Sequence, residues 1–101
     1  MVIEWLQFKV SPEYREKFVQ KDQEIWTTTL AGFPCFLGKE VWINPEVPDE
    51  VILVARWRTY EEWQSLPRPP LEEAERKFAE AMGVNTYELM KLSSYQVRKF
   101  S

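Results

Sequence analysis

The stretch VILVARWR, from Val51 to Arg58, decides the fold because it predicts a β-strand with apolar side chains on both faces. At its end, Arg56 and Arg58 flank Trp57. A sheet that is covered on one side alone usually alternates apolar and polar residues along its strands. The stretch therefore predicts a sheet whose second face is also covered, and the question is what covers it.

The composition predicts a compact globular chain. The 101 residues are 45% hydrophobic and 29% charged, which is typical of folded domains and provides enough apolar side chains for a modest core. We expect a single domain over residues 1–101 that folds without a metal or a disulfide.

Charge and cysteine content argue against several partners. The net charge is -3 with acidic and basic residues mixed along the chain, so we expect no nucleic-acid partner. Cys35 is the single cysteine and has no metal-ligand spacing around it, which favours a reducing, cytoplasmic setting. Glu4 interrupts the first apolar run, and no run approaches the length of a membrane span, so we expect neither export nor membrane anchoring.

Residues 2–10 predict the first strand, and a helix follows it. The two faces of this strand carry Ile3, Trp5 and Gln7 on one side and Leu6, Phe8 and Val10 on the other. Ser11 is the expected helix cap and Pro12 the first helical residue, where its missing N–H donor costs nothing. Gly32 and Pro34 end the helical pattern.

The second half predicts a hairpin, two helical pieces and a last strand. FLGKEVWI, Phe36–Ile43, pairs with the following strand through the turn NPEVPDE. TYEE matches a capping box, with Thr59 as the cap and Glu62 three residues later. An apolar stripe from Leu71 predicts a helix that Gly83 ends, and YELMKLSSYQV predicts the last strand. The order βαββαβ predicts a ferredoxin-like α+β fold, an antiparallel four-stranded sheet with the helices on one face.

The other face of that sheet needs a partner. Four strands of about six residues, spaced by about 4.8 Å with a rise of about 3.3 Å, leave a face of roughly 400 Å² open in a monomer. Ile3, Trp5 and Trp42, with alternate residues of the Val51 strand, are candidates for this face. We therefore expect a homodimer in which two sheets pack face to face.

Three landmarks in this arrangement carry a resemblance: FKVSPEYREKF, GFPCFLGKEVW and LVARWRTYEEW. By them the chain resembles the dimeric α+β barrel superfamily, within its antibiotic-biosynthesis-monooxygenase-like group. KDQEIWT, GKEVW and ARWRTYEEW resemble, more narrowly, a small and functionally uncharacterised group of cyanobacterial proteins. The resemblance implies that paired sheets form a barrel, with a pocket between the sheet and the adjacent helix in each half.

The resemblance also implies what such a pocket does. Some relatives hold a flat organic molecule there, and they degrade haem or oxidise polycyclic aromatics without a metal or flavin. Trp57 stands where the haem-degrading relatives have a pocket tryptophan, but their strand-one asparagine corresponds to Leu6, and their helix histidine falls between Arg76 and Phe78. Since the chain has no histidine, haem ligation in that way is excluded. Cys35 or a tyrosine is the remaining alternative as an axial ligand, and we expect no cofactor.

Glu40 is one candidate for a catalytic proton acceptor, because carboxylates must take this role where histidine is absent. It shares a strand face with Trp42, and apolar neighbours would raise the pKa of its carboxyl. The alternative is a structural ion pair with Arg56 or Arg58 across the hairpin.

Asp22 is the second candidate. It falls in the apolar sector of the first helix, one turn before Trp26, where an unpaired carboxylate would be costly. The alternative is a structural bond to Arg15, to an indole N–H or to solvent.

Strand parity places Trp57 and Arg56 on opposite faces of one strand. If Arg56 and Arg58 face the barrel, Trp57 lies under the helices; if Trp57 faces the barrel, the arginines point away. A bulge near Arg56 would let both face the same way. The resemblance favours Trp57 inside the barrel, and we adopt that orientation.

Two functions follow as hypotheses. The first is a cofactor-independent monooxygenase or isomerase for a small planar molecule, with Glu40 or Asp22 as the proton acceptor. Its expected substrate-binding residues are Trp57, Trp42, Trp5 and Arg56. The second is a non-catalytic dimeric module that binds a ligand or is purely structural, with its interior filled by its own aromatic side chains and every interior charge paired.

Overall fold

The computed structural model describes residues 1–101 and contains one four-stranded antiparallel sheet. Its strands are β1 (Val2–Val10), β2 (Phe36–Ile43), β3 (Glu50–Trp57) and β4 (Tyr87–Gln96). They lie side by side in the order β2-β3-β1-β4, and every neighbouring pair is antiparallel. This is the ferredoxin-like α+β arrangement that the sequence predicts, and the helices cover one face of the sheet.

The first helical stretch runs over residues 12–30 and changes its winding on the way. A 3₁₀ turn leads into α1 (Arg15–Lys21), a π-helical segment follows at Asp22–Thr27, and α2 (Thr28–Leu30) ends the stretch. Ser11 makes no side-chain cap, contrary to the prediction; its backbone carbonyl accepts from the Tyr14 N–H instead. The wider π turn matters because such segments in helices are frequent at functional sites.

Two helices follow the β2–β3 hairpin: α3 (Tyr60–Gln64) and α4 (Arg68–Met82). The predicted cap of α3 is confirmed, since Thr59 Oγ1 accepts from the Glu62 N–H at 3.1 Å. α4 begins three residues before the predicted Leu71, because two prolines fit in a first turn whose N–H groups have no partner inside the helix. No helix in the structure combines the length and the apolar character needed to cross a membrane.

The core lies between the sheet and these helices in two apolar clusters. One is centred on Phe18 and Phe78, whose rings meet edge to face at 5.2 Å between centroids. The other contains Trp57 and Leu30, and it includes the buried Cys35. Burying side chains of this size supplies most of the favourable free energy of folding.

Strand β3 shows why the predicted orientation of Trp57 is wrong. Val51, Leu53 and Ala55 point toward the helices, so strand alternation places Trp57 on the same side, where it is fully buried. Arg56 faces the open side of the sheet. The local irregularity lies on β2, between Phe36 and Gly38, and does not change the parity of β3.

Candidate functional site

A cavity of about 340 Å³ lies between the sheet and the helices. Its volume falls within the range of pockets that hold small organic molecules. Eighteen residues line it, of which fourteen are hydrophobic. Its polar lining consists of Glu4, Asp22, Lys39 and Glu75, so a few charged groups project into an otherwise apolar space.

The register of the sheet places two of these charges in one row. Glu4 on β1 is paired with Ala55 on β3, and Ala55 is paired in turn with Lys39 on β2. All three line the cavity. Because Ala55 carries only a methyl group, the longer side chains on either side of it have room above the sheet. A larger residue at this position would take up space between Glu4 and Lys39.

Lys39 extends to the first helix and binds Asp22. Its Nζ lies 2.5 Å from Asp22 Oδ1, and the two side chains keep only 6% and 2% of their exposure to solvent. Burial raises the pKa of the Asp22 carboxyl, while the charge and hydrogen bond of Lys39 act against that rise. Asp22 opens the π-helical segment, whose Trp26 also lines the cavity. The irregular helix thus brings both side chains to the site.

Glu4 is held from its other side by Trp57. The indole Nε1–H donates to Glu4 Oε1 at 3.2 Å. Burial raises the pKa of the Glu4 carboxyl, and the hydrogen bond from Trp57 and the charge of Lys39 partly oppose the rise. A carboxyl in such surroundings binds its proton at a higher pH than it would in water, which suits a group that exchanges a proton with a ligand.

Aromatic rings form much of the remaining wall. Trp57 and Trp63 lie nearly parallel, with 8° between their planes and 6.1 Å between their centroids. Phe18, Phe78 and Tyr87 form a second group, in which the rings meet at steep angles. Burial and the nearby Glu75 raise the pKa of the Tyr87 hydroxyl. Trp63 and Tyr87 are half-buried and can contact a bound molecule, whereas Trp57 and Phe18 are covered by neighbouring side chains.

The predicted site residues are split between the two faces of the sheet. Trp57 and Asp22 line the cavity. Trp5, Trp42, Glu40 and Arg56 lie on the open face: Trp5 is level with Val54, Trp42 with Ile52, Glu40 with Val54, and Arg56 with Ile3. Trp57 and Trp42 therefore do not enclose one ligand together within a chain.

Glu40 takes the structural role that the sequence offered as its alternative. Arg56 Nη1 donates to its carboxylate, and Trp42 Nε1 donates to it at 2.9 Å. These two hydrogen bonds lower the pKa of the Glu40 carboxyl. Asp22 also finds an ionic partner, but this partner is Lys39 on β2 rather than the predicted Arg15, an indole or solvent.

Glu4 and Lys39 are the site residues that the sequence reasoning missed. The signal was present in the strand alternation, since Glu4 shares a face with Leu6 and Phe8, and Lys39 shares one with Val41. A charged residue in phase with a buried apolar face must be paired or functional. Which side chains meet there depends on the register of the strands and on the placement of the first helical stretch over the sheet, and local sequence patterns give neither.

The fold and the cavity between sheet and helices define a ferredoxin-like α+β protein with an apolar pocket of about 340 Å³. The chain belongs to the antibiotic biosynthesis monooxygenase family, which it matches over residues 1–66. No curated protein matches the chain closely enough to count as a relative.

Solved structures share the whole fold at low sequence identity. The Streptomyces coelicolor monooxygenase ActVA-Orf6, solved with nanaomycin D, has a TM-score of 0.75 and 14% identity, covering 99% of this chain and 89% of its own. SnoaB, a cofactor-independent oxygenase from Streptomyces nogalater, has a TM-score of 0.65 and 14% identity, covering 98% and 94%. A conserved protein of Methanosarcina mazei has a TM-score of 0.67 and 16% identity, covering 94% and 90%.

Proposed function

We propose that the chain binds a small planar organic molecule in the cavity between sheet and helices and oxidises it with molecular oxygen, without a cofactor. One observation carries the proposal: an apolar, aromatic cavity of about 340 Å³ encloses two carboxyls whose pKa values are raised by burial. Family membership and the oxygenases among the structural neighbours support this reaction class. Residues 1–101 form one domain with one such cavity in this proposed function.

The chemistry needs a proton acceptor in a dry site. A carboxylate, from Glu4 or Asp22, takes a proton from an acidic C–H group of the substrate, and the carbanion then passes electrons to O₂ and forms a C–O bond. The O–O bond breaks as the second hydrogen of that carbon leaves, and the carboxyl returns its proton. For a methylene substrate such as anthrone, one anthrone and one O₂ give one anthraquinone and one water. A buried carboxylate favours proton transfer because its conjugate acid is stabilised there.

The test combines binding and turnover. Quenching of tryptophan fluorescence should report binding of anthrone and of nanaomycin D, because three tryptophans line the cavity. An oxygen electrode and the appearance of anthraquinone should then show equal consumption and formation. The Glu13→Gln variant serves as a control, since Glu13 is exposed outside the cavity.

The outcomes distinguish the enzyme from the non-catalytic module, the two functions that the sequence suggested. Binding with oxygen uptake supports the enzyme. Binding without uptake by any tested compound favours a non-catalytic ligand-binding module. No binding of either compound contradicts the proposed use of the cavity.

We also propose that the open face of the sheet pairs with a second copy. Trp42 and Tyr95 keep 46% and 53% of their exposure there, beside Trp5 and Ile3. A face that carries such aromatic side chains is unusual for a surface that stays in water. Glu40 on this face is already bound by Arg56 and Trp42. A further charge, Lys91, lies over the Trp5 ring with 5.8 Å between its Nζ and the ring centroid, and its flexible side chain can reach the rim of the interface. A cytoplasmic location stays a prediction from the single cysteine.

A further inference from the structure

We infer that Glu4 is the ligand-recognition residue of the cavity and that it selects a neutral, flat molecule carrying a hydroxyl group, which donates a hydrogen bond to Glu4 Oε2. This inference rests on the proposed use of the cavity and names the substrate class within it.

Glu4 has one carboxylate oxygen without a hydrogen-bond donor within the chain. Its Oε1 accepts from Trp57 Nε1, and no group of the chain donates to Oε2. The side chain lines the cavity, so this oxygen can be reached by a bound molecule. A largely desolvated carboxylate with an unused acceptor favours a ligand that brings a donor.

Lys39, the cation that acts on Glu4, is already paired with Asp22. Lys39 Nζ lies 2.5 Å from Asp22 Oδ1, and both side chains are almost fully buried. Lys39 therefore acts on Glu4 through its charge and makes no hydrogen bond to it. Among the carboxyls of the cavity, Asp22 has a cationic partner, Glu75 is exposed on α4, and Glu4 is left for the ligand.

The cavity lining carries more acidic than basic side chains. Glu4, Asp22 and Glu75 outnumber the one cation, Lys39. An anionic ligand would be repelled by this excess and would also lose its hydration in an apolar space. An organic cation would lose its hydration too, and Lys39 in the same lining would repel it. A neutral hydroxyl avoids both penalties and still supplies the donor.

The shape of the ligand follows from the walls. The half-buried rings of Trp26 and Trp63 line the cavity, and the small Ala55 lies in the row of Glu4 on the sheet. A fused aromatic ring system can lie along these rings while an edge hydroxyl reaches the carboxylate.

The experiment compares four probes by isothermal titration calorimetry with the full chain: naphthalene, 1-naphthol, 1-naphthoate and 1-naphthylmethylammonium. We expect 1-naphthol to bind about tenfold or more tightly than naphthalene, since a hydrogen bond to a charged group is worth that much. The anion should bind more weakly than naphthalene. The cation should bind more weakly than 1-naphthol.

Two substitutions at Glu4 test the assignment. Glu4→Gln keeps the shape and an acceptor but loses the charge, so it should retain part of the preference for 1-naphthol. Glu4→Met loses the acceptor and should bind naphthalene and 1-naphthol equally, while Glu13→Gln should match the wild type. Burial raises the pKa of Glu4, so the wild-type preference should also rise as the pH is increased and Glu4 ionises, and in Glu4→Met it should not.

The failures are distinguishable. If naphthalene and 1-naphthol bind the wild type equally well, or if the anion or cation binds best, this inference is wrong and the cavity remains a ligand site. If no probe binds, naphthalene included, both the inference and the proposed use of the cavity fail.

Discussion

Replacing Lys39 by methionine tests the buried ion pair at the site. The substitution keeps the length and much of the volume of the side chain and removes the charge that faces Asp22. Because the Asp22 side chain keeps only 2% of its exposure, bulk solvent compensates little for the loss of Lys39. The carboxylate must then stay unpaired or take up a proton.

The expected loss of stability is large. Removing one partner of a buried pair typically costs about 3 to 5 kcal/mol, against a total stability of about 5 to 15 kcal/mol for a domain of this size. The double variant Asp22→Asn with Lys39→Met leaves no charge behind. We expect it to be more stable than Lys39→Met alone by about 2 kcal/mol or more at pH 7.

The pH dependence gives a second criterion. Burial raises the folded-state pKa of Asp22 above its unfolded value, so its contribution to stability is fully present below the unfolded pKa of about 4 and falls as pH rises through the folded pKa. Without Lys39 that pKa rises further, and so does the pKa of Glu4, on which Lys39 also acts. The stability deficit of Lys39→Met should therefore be small near pH 4 and grow toward pH 7.

Urea unfolding followed by tryptophan fluorescence at several pH values measures these differences, and circular dichroism checks that each variant folds. A deficit of Lys39→Met below about 1 kcal/mol at pH 7, or one that does not increase with pH, would refute the reasoning. A double variant less stable than Lys39→Met would do the same.

Three further predictions concern the rest of the chain. Trp42→Glu should weaken the proposed dimer because it places a charge on the paired sheet face, and light scattering measures the mass. Val84→Glu, at an exposed position outside the sheet, should leave the mass unchanged. Equal masses for both variants would contradict the interface. Thr59→Ala should lower the free energy of unfolding by about 1 kcal/mol through loss of the α3 cap, and Thr59→Ser should retain most of it; an alanine variant as stable as the wild type would contradict this. The Glu62 carboxyl accepts hydrogen bonds from Arg58 and Thr59 and should titrate with a pKa of about 2 by NMR. It should therefore stay ionised at mildly acidic pH. A pKa near the ordinary value of 4.5 would show that these hydrogen bonds do not persist in solution.

The order of strands and helices follows from local sequence patterns. Alternation of apolar residues, the cap at Thr59 and the glycine at Gly83 predict each element to within a few residues. These signals work because strand pleat and helix pitch set which residues share a face whatever the rest of the chain does. The same local argument predicted that Glu40 has a cross-strand arginine as its alternative partner, and the hairpin provides Arg56.

The site depended on contacts between residues far apart in the chain. Asp22 and Lys39 meet because the first helical stretch packs on the face of the sheet to which Lys39 points. Glu4 and Lys39 share a row because β3 lies between β1 and β2. Local pattern predicts the hairpin of β2 and β3, but it does not set the register that places Glu4 and Lys39 in one row. The sequence by itself therefore determined the elements and the apolar faces, whereas the tertiary structure decided which charges meet in the cavity, since a buried charge is stable only where the packed chain brings it a partner.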